Sequence, residues 1–156
     1  MMMKMIDKFD GEFAFLSNFY PSAISDGYTT FPTVEHYFQA CKCEYMDDYD
    51  AIAAAPTPGQ AKRLGRQAVL RDDWEQNKLN VMETALRKKF AIPSLRKQLL
   101  ATGDAYLVEG NHWHDNFYGD CHCDKCKNIK GQNNLGKLLM KIRAEFQEEK
   151  GDHYTR

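Results

Sequence analysis

Apolar residues in this chain recur mostly at helical spacing, and the segment Phe31–Lys42 shows it most cleanly. Pro32 cannot continue an extended ladder and Thr33 can cap, so the spacing predicts a helix from Val34 to about Met46. Val34, Tyr37, Phe38, Cys41 and Tyr45 follow i, i+3, i+4, i+7, i+11, the pattern of one buried stripe. At about 100° per residue, Glu35, Gln39 and Lys42 fall together on an adjoining face, roughly a quarter turn away. Charges beside a core either line a cleft or snorkel over apolar neighbours, and both readings stand at this point.

The rest of the chain divides by the same rules. Phe9 to Phe15 reads as a short aromatic strand, broken by the loop Leu16–Pro21. Asn18 in that loop is either a local Asx turn or an amide that reads a ligand's polar edge. Ser22–Ile24 and Tyr28–Phe31 flank Ser25-Asp26-Gly27, a hairpin turn. Asp47–Ala55 predicts a second short helix, stopped before Pro56. Thr57-Pro-Gly-Gln60 is a capping box with proline at the first helical position. The helix it opens carries Lys62, Arg63 and Arg66, with Gly59 and Gly65 permitting close approach; this face is either solvated or meets a phosphate.

Asp72 and Glu75 predict another capping box, opening a long helix to about Ala91. Its stripe is Trp74, Lys78, Val81, Met82, Ala85, Leu86 and Phe90. Lys78 either snorkels or faces a site, and Trp74 either anchors the core or stacks a planar ring. Pro93 starts a helix through Leu95, Leu99 and Leu100 that ends at Thr102-Gly103. Tyr106–Val108 reads as a strand. A final helix runs from about Leu135 to Phe146, with Asn134 as its cap and free N–H donors for an anion. The tail, Glu148–Arg156, is polar and expected to fray.

Length and composition narrow the class. At 156 residues the chain is long enough for one domain with a real core. The 28% charged and 43% hydrophobic content is that of a soluble globular protein. A net charge of −1 and a pI near 6.5 argue against broad electrostatic binding to nucleic acid or membrane. Met1–Ile6 lacks the features of a signal peptide. Five cysteines suit a reducing cytoplasm better than a disulfide scaffold.

Two loops concentrate unusual chemistry. Glu109 to Asp120 holds Glu109, Asn111, His112, Trp113, His114, Asp115, Asn116, Phe117, Tyr118 and Gly119. Directly after it, Cys121, Cys123 and Cys126 are spaced Cys-x-Cys-x-x-Cys. They can bind a structural zinc if His112, His114, His122, Cys41 or Cys43 supplies a fourth ligand; the alternative is reduced thiols in a polar loop.

Six segments in order carry a resemblance. They are Phe15–Phe19, Pro32–Lys42, Pro58–Arg66, Arg71–Trp74 with Lys78 and Met82, Leu99–Gly103, and Asn134–Arg143. Together they resemble the NADAR superfamily, the YbiA-like N-glycosidases, from about Phe9 to Phe146. The resemblance implies a compact, mainly helical α+β single domain with a few short strands. It implies cleavage of a ribosyl N-glycosidic bond in a riboflavin-pathway intermediate, or in ADP-ribose attached to a nucleobase, with no required cofactor. Nucleic acid then enters only as a modified substrate. By correspondence Glu35 is the helix carboxylate, Trp74 and Lys78 the aromatic and amine of the long helix, Asp115 the loop acid and Asn18 the N-terminal amide. Tyr118-Gly119 stands where the family has a Trp-Gly pair, and Cys121–Lys130 replaces a short Gly-rich turn that borders the pocket.

On that reading Glu35 stabilises the positive charge developing at C1′, and Asp115 is the second carboxylate. Lys78 or Lys42 could instead attack the sugar as a Schiff-base amine. Asn18, Gln39, Trp74, Tyr118 and Gly119 would bind substrate, and Lys62, Arg66 and the Asn134 helix start would hold phosphate. Two competing readings remain: a non-catalytic NAD or ADP-ribose-binding module, and a zinc-stapled nucleic-acid module.

Overall fold

In the computed structural model residues 5–155 are described, with side chains through residue 150. Residues 1–4, most of the segment expected not to be a signal peptide, lie outside that range, as does Arg156. The elements in chain order are β1 (Met5–Ile6), a 3-10 helix (Gly11–Leu16), β2 (Ile24–Ser25), β3 (Thr30–Phe31), α1 (Val34–Cys41), α2 (Met46–Ala53), α3 (Pro58–Gln67) and α4 (Trp74–Phe90). They continue as α5 (Pro93–Ala101), β4 (Tyr106–Leu107), β5 (Gly110–Asn111), β6 (Asp120–Cys121), a 3-10 turn (Asp124–Cys126) and α6 (Asn134–Thr155). The fold is mainly helical α+β. Its strands pair only in twos: β1 with β4 and β5 with β6 in parallel, β2 with β3 antiparallel. Among the described residues no helix is long and apolar enough to cross a membrane.

The chain forms two compact units, residues 18–92 and residues 1–17 with 93–156. In the first, α1 packs against α2, α3 and α4. Val34, Tyr37, Phe38, Phe31, Ile52, Met82, Leu86 and Phe90 are buried there. Burying each such side chain contributes about 1.5–3 kcal/mol. Phe31 meets Tyr37 and Tyr49 edge-on, with centroids 5.3 and 5.7 Å away. The hairpin forms as its turn residues predict: Asp26 accepts the Tyr28 and Thr29 N–H groups, and Gly27 takes φ +99°. Thr57 caps α3 by accepting the Gln60 N–H at 3.1 Å.

In the second unit α6 packs on β4 and α5, and α5 on the 3-10 helix. Leu107, Leu99, Leu139, Ile142 and Leu16 are fully buried. Gly103 ends α5 at φ +64° as expected.

Four expectations need correction. Phe9–Phe15 is not a strand. The Asp10-Gly11 pair turns the chain, with Gly11 at φ +55°, and the following residues close i→i+3 bonds. The central helix stops at Cys41, not Met46. Glu44 N–H is drawn to Val69 O and Lys42 O accepts from Arg71, while Cys43 bridges Leu70. Tyr45 therefore leaves the stripe and is exposed. No side chain caps α4, because the Asp73 carboxylate is held by Arg71 and Glu75 pairs with Lys78. Finally, α6 does not end at Phe146 but continues through Thr155.

Candidate active site

Helix α1 begins where Thr33 accepts the His36 N–H at 3.1 Å. The same hydroxyl lies 2.8 Å from His36 Nδ1, and His36 Nε2 lies 2.9 Å from Ala55 O. A carbonyl only accepts, so His36 Nε2–H donates to Ala55 O. This buried chain of bonds fixes the first turn, which carries Glu35. The Glu35 N–H donates to Asn18 O at 3.0 Å, tying the N-terminal loop to the same turn.

Glu35 and Gln39 are buried rather than merely edge-facing, at 7% and 5% exposure. Gln39 Nε2 donates to Glu35 Oε2 at 2.6 Å, one turn apart on the helix. A carboxylate can only accept from an amide N–H, so this bond also orients the Gln39 carbonyl. That oxygen, Oε1, has no hydrogen-bond partner among the described residues; neither has Asn18 Oδ1, whose amide nitrogen reaches Met82 Sδ at 3.5 Å. Buried acceptors left open are rare in native structures, and two occur around Glu35.

Helix α3 approaches this pair through Gly65. A Cβ at that position would sit 1.9 Å from Gln39 Oε1 and 3.0 Å from Lys42 Cε. The missing side chain at Gly65 therefore leaves the space that the Gln39 amide occupies. Lys42, Lys62 and Arg66 share one electrostatic neighbourhood with Glu35. Burial holds the Lys42 amine below the usual lysine range, Glu35 opposes this, and Arg66 and Lys62 add to it. Asn18, Glu35, Gln39, Lys42, Lys62 and Arg66 all lie in the unit of residues 18–92.

Two other expected residues behave differently. Trp74 is buried and packs on Phe38 with centroids 5.1 Å apart and planes at 60°. That is the packing of a core anchor behind α1. Lys78 forms an ion pair with Glu75 at 2.8 Å. The sequence reading also missed Lys89, which is fully buried, with its amine 5.6 Å from the Tyr20 ring centroid and 5.1 Å from that of Phe90. Burial pulls its pKa down to about 7. The signal was available: Lys89 lies seven residues after Met82 and four after Ala85, on the apolar stripe of α4.

In the other unit the loop after β5 is knitted around Asn111, which is buried. Its Oδ1 accepts from the Trp113 and Asp115 N–H groups at 3.2 Å, and its Nδ2 donates to Asp115 O at 2.8 Å. Asp115 Oδ1 accepts from the Phe117 and Tyr118 N–H groups at 3.1 and 2.9 Å. A Cβ on Gly119 would fall 1.8 Å from Glu109 Oε2, so Gly119 is demanded by close packing. Asn134 joins this loop: its N–H and Nδ2 both donate to Phe117 O, and Leu135 N–H donates to Tyr118 O. The first donors of α6 are therefore committed to the loop, which corrects the expectation that they are free for an anion. Nor does the Asn134 side chain cap the helix; Asn133, at φ +52°, precedes it and accepts the Lys137 N–H.

Cys121, Cys123 and Cys126 converge as their spacing suggested. Of the five candidates for a fourth donor, His114 joins them, all four ligand atoms lying within 4.8 Å of one another.

The NADAR domain pattern matches residues 6–147. An N-glycosidase of Nostoc punctiforme is 43% identical over 138 residues, covering 83% of each chain. A riboflavin biosynthesis protein of Vibrio vulnificus is 39% identical over 142 residues, covering 89% of this chain; the match spans only 37% of that relative's length. The NMR structure of Escherichia coli YbiA superposes with a TM-score of 0.80 at 38% identity, covering 96% of this chain and 89% of that one. Pattern, sequence and fold agree across both units: the chain belongs to the NADAR domain family.

Proposed function

We propose that the chain is a hydrolase of N-glycosyl bonds, acting on a phosphorylated ribosyl compound whose leaving group is a nitrogen base. One observation carries this reading: a buried carboxylate, Glu35, oriented by a 2.6 Å bond from Gln39 and neighboured by cations of α1 and α3. Its similarity to named N-glycosidases supports the same reading.

As the C1′–N bond breaks, its electron pair leaves with the base and positive charge develops at C1′ and the ring oxygen. A fixed carboxylate in low dielectric stabilises that charge. Water then supplies its oxygen to C1′; one of its hydrogens stays on the new C1′ hydroxyl and the other goes as a proton to the departing nitrogen. Glu35 is the catalytic carboxylate. Asn18 Oδ1 accepts a donor of the substrate, and Lys62 and Arg66 bind phosphate. Asp115, in the other unit, is a separate candidate acid whose Oδ1 accepts from the Phe117 and Tyr118 N–H groups.

The test is incubation with a phosphoribosylated riboflavin intermediate, NAD, and ADP-ribosylated guanine in DNA, with mass detection of released base. Glu35→Gln should lower release by about 100-fold or more while its melting curve is unchanged. Near-normal turnover in that variant would refute the role of Glu35. Saturable binding with no product over time would replace the enzyme by a binding module for NAD or ADP-ribose.

One observation favours a covalent variant: burial lowers the pKa of Lys42 beside Glu35. Its nitrogen would bond to C1′ as the base leaves, the ring would open to an imine, and water would release the sugar. Borohydride during turnover should then add the reduced sugar's mass to the peptide holding Lys42. An adduct on Lys78 would move the role there, and no adduct would leave direct hydrolysis.

A further inference from the structure

We propose that His114, Cys121, Cys123 and Cys126 bind a structural zinc ion that pins the Asp115 turn. The donor set is three sulfurs and one imidazole, the chemistry of a closed tetrahedral site. Zn–S bonds of about 2.3 Å and a Zn–N bond of about 2.0–2.1 Å put tetrahedral donors about 3.5–3.8 Å apart. Here His114 Nδ1 lies 3.4 Å from Cys123 Sγ, 3.4 Å from Cys126 Sγ and 3.9 Å from Cys121 Sγ. The spacing suits one shared cation.

Three further features support it. First, N–H groups are aimed at the sulfurs. The His114 backbone donates to Cys121 Sγ at 3.3 Å, and Asn116 Nδ2 donates to Cys126 Sγ at 3.4 Å. Such donors stabilise thiolates and hold ligands in place. Asn116 also accepts the Cys121 N–H through Oδ1 at 2.8 Å, so one amide braces two ligands. Second, His114 has φ +67°, a left-handed conformation that is strained for a non-glycine residue and needs compensation. That backbone brings the imidazole among the three sulfurs. Third, the Cys123–Cys126 turn is closed by Cys126 N–H to Cys123 O at 3.0 Å, presenting both sulfurs from one short turn.

Two of the other candidates are engaged elsewhere: His122 lies 3.4 Å from the Asp120 carboxylate, and Cys43 Sγ donates to Gln39 O at 3.4 Å. The site matters because Asp115 directly follows His114 and Asn116 directly follows Asp115. A metal on His114, with Asn116 bonded to two of the cysteines, holds both ends of the Asp115 residue.

The test begins with purified full-length chain, dialysed and measured by elemental analysis and thiol titration. We expect one equivalent of zinc per chain, retained by the Cys41→Ser/Cys43→Ser double variant and lost from Cys126→Ser. Exchange with cobalt(II) gives a readout that does not depend on a variant folding. Wild-type chain should show thiolate-to-cobalt charge transfer and the intense visible bands of a tetrahedral ion, and His114→Ala should shift those bands. Metal-free chain that titrates five free thiols and gives no charge-transfer band with cobalt would overturn the proposal. So would an intact mass showing a disulfide among Cys121, Cys123 and Cys126.

Discussion

Lys89 shows how far one side chain can depart from what its residue type suggests. An amine with no exposed surface loses its hydration, and its pKa falls from 10.5 to about 7. Between those two values the unfolded chain holds a proton that the folded chain does not. Stability therefore rises with pH across that window, by up to about 1.4 kcal/mol per pH unit from this group. Thermal melts from pH 7 to 10 should show the rise in wild type and a flatter profile in Lys89→Met. Equal slopes in the two proteins would mean that Lys89 stays charged when folded. Gln39 departs in another way. It is polar and buried, yet its bond to Glu35 uses only its nitrogen. Its geometry is set by the helix face opposite it.

That face belongs to α3, and the approach of α3 to α1 is set by Gly65. In an exposed helix, alanine would be favoured over glycine by about 1 kcal/mol. Here a methyl group would meet the Gln39 amide, the movable end of a flexible side chain. The fold can absorb Gly65→Ala, but the Gln39–Glu35 bond cannot survive it unchanged. We expect a melting temperature close to wild type with kcat reduced on the order of 100-fold, the usual cost of a displaced catalytic group. A KM effect with kcat intact would instead place Gln39 in ground-state binding. At the same scale, the early end of α1 has a clear cause. Hydrogen bonds from Glu44 to Val69 and from Arg71 to Lys42 take over backbone groups that a longer helix would have used. Lys42 consequently stands at the helix end as its C-cap.

At the scale of the molecule, the candidate residues fall into two self-contained sets. Asn18, Glu35, Gln39, Lys42, Lys62 and Arg66 belong to residues 18–92. Asp115, Tyr118, Gly119, Asn134 and the cysteine cluster belong to the other unit. If metal staples that cluster, stripping it with a chelator should raise amide exchange over residues 109–122 and 131–135, while α1 to α4 keep their protection. A uniform rise across both units would show that they open together; no change in the loop would argue that Asn111 alone holds it.

Local structure was legible in the sequence wherever its cause was local. The Thr33 and Thr57 caps, the Asp26-Gly27 turn, the Gly103 stop and the stripes of α1, α4 and α6 all follow from side chains acting within a few residues. The sequence also brought Glu35, Gln39 and Lys42 to one helix face and announced three converging thiols by their spacing. Tertiary structure decided everything that depends on residues distant in the chain. It ended α1 at Cys41, buried Trp74 against Phe38, committed the start of α6 to the Phe117–Tyr118 carbonyls and placed His114 among the sulfurs. The physical reason is the same in each case. Backbone and side-chain polar groups must be satisfied once buried, and which partner satisfies them depends on a fold that no short window of sequence contains.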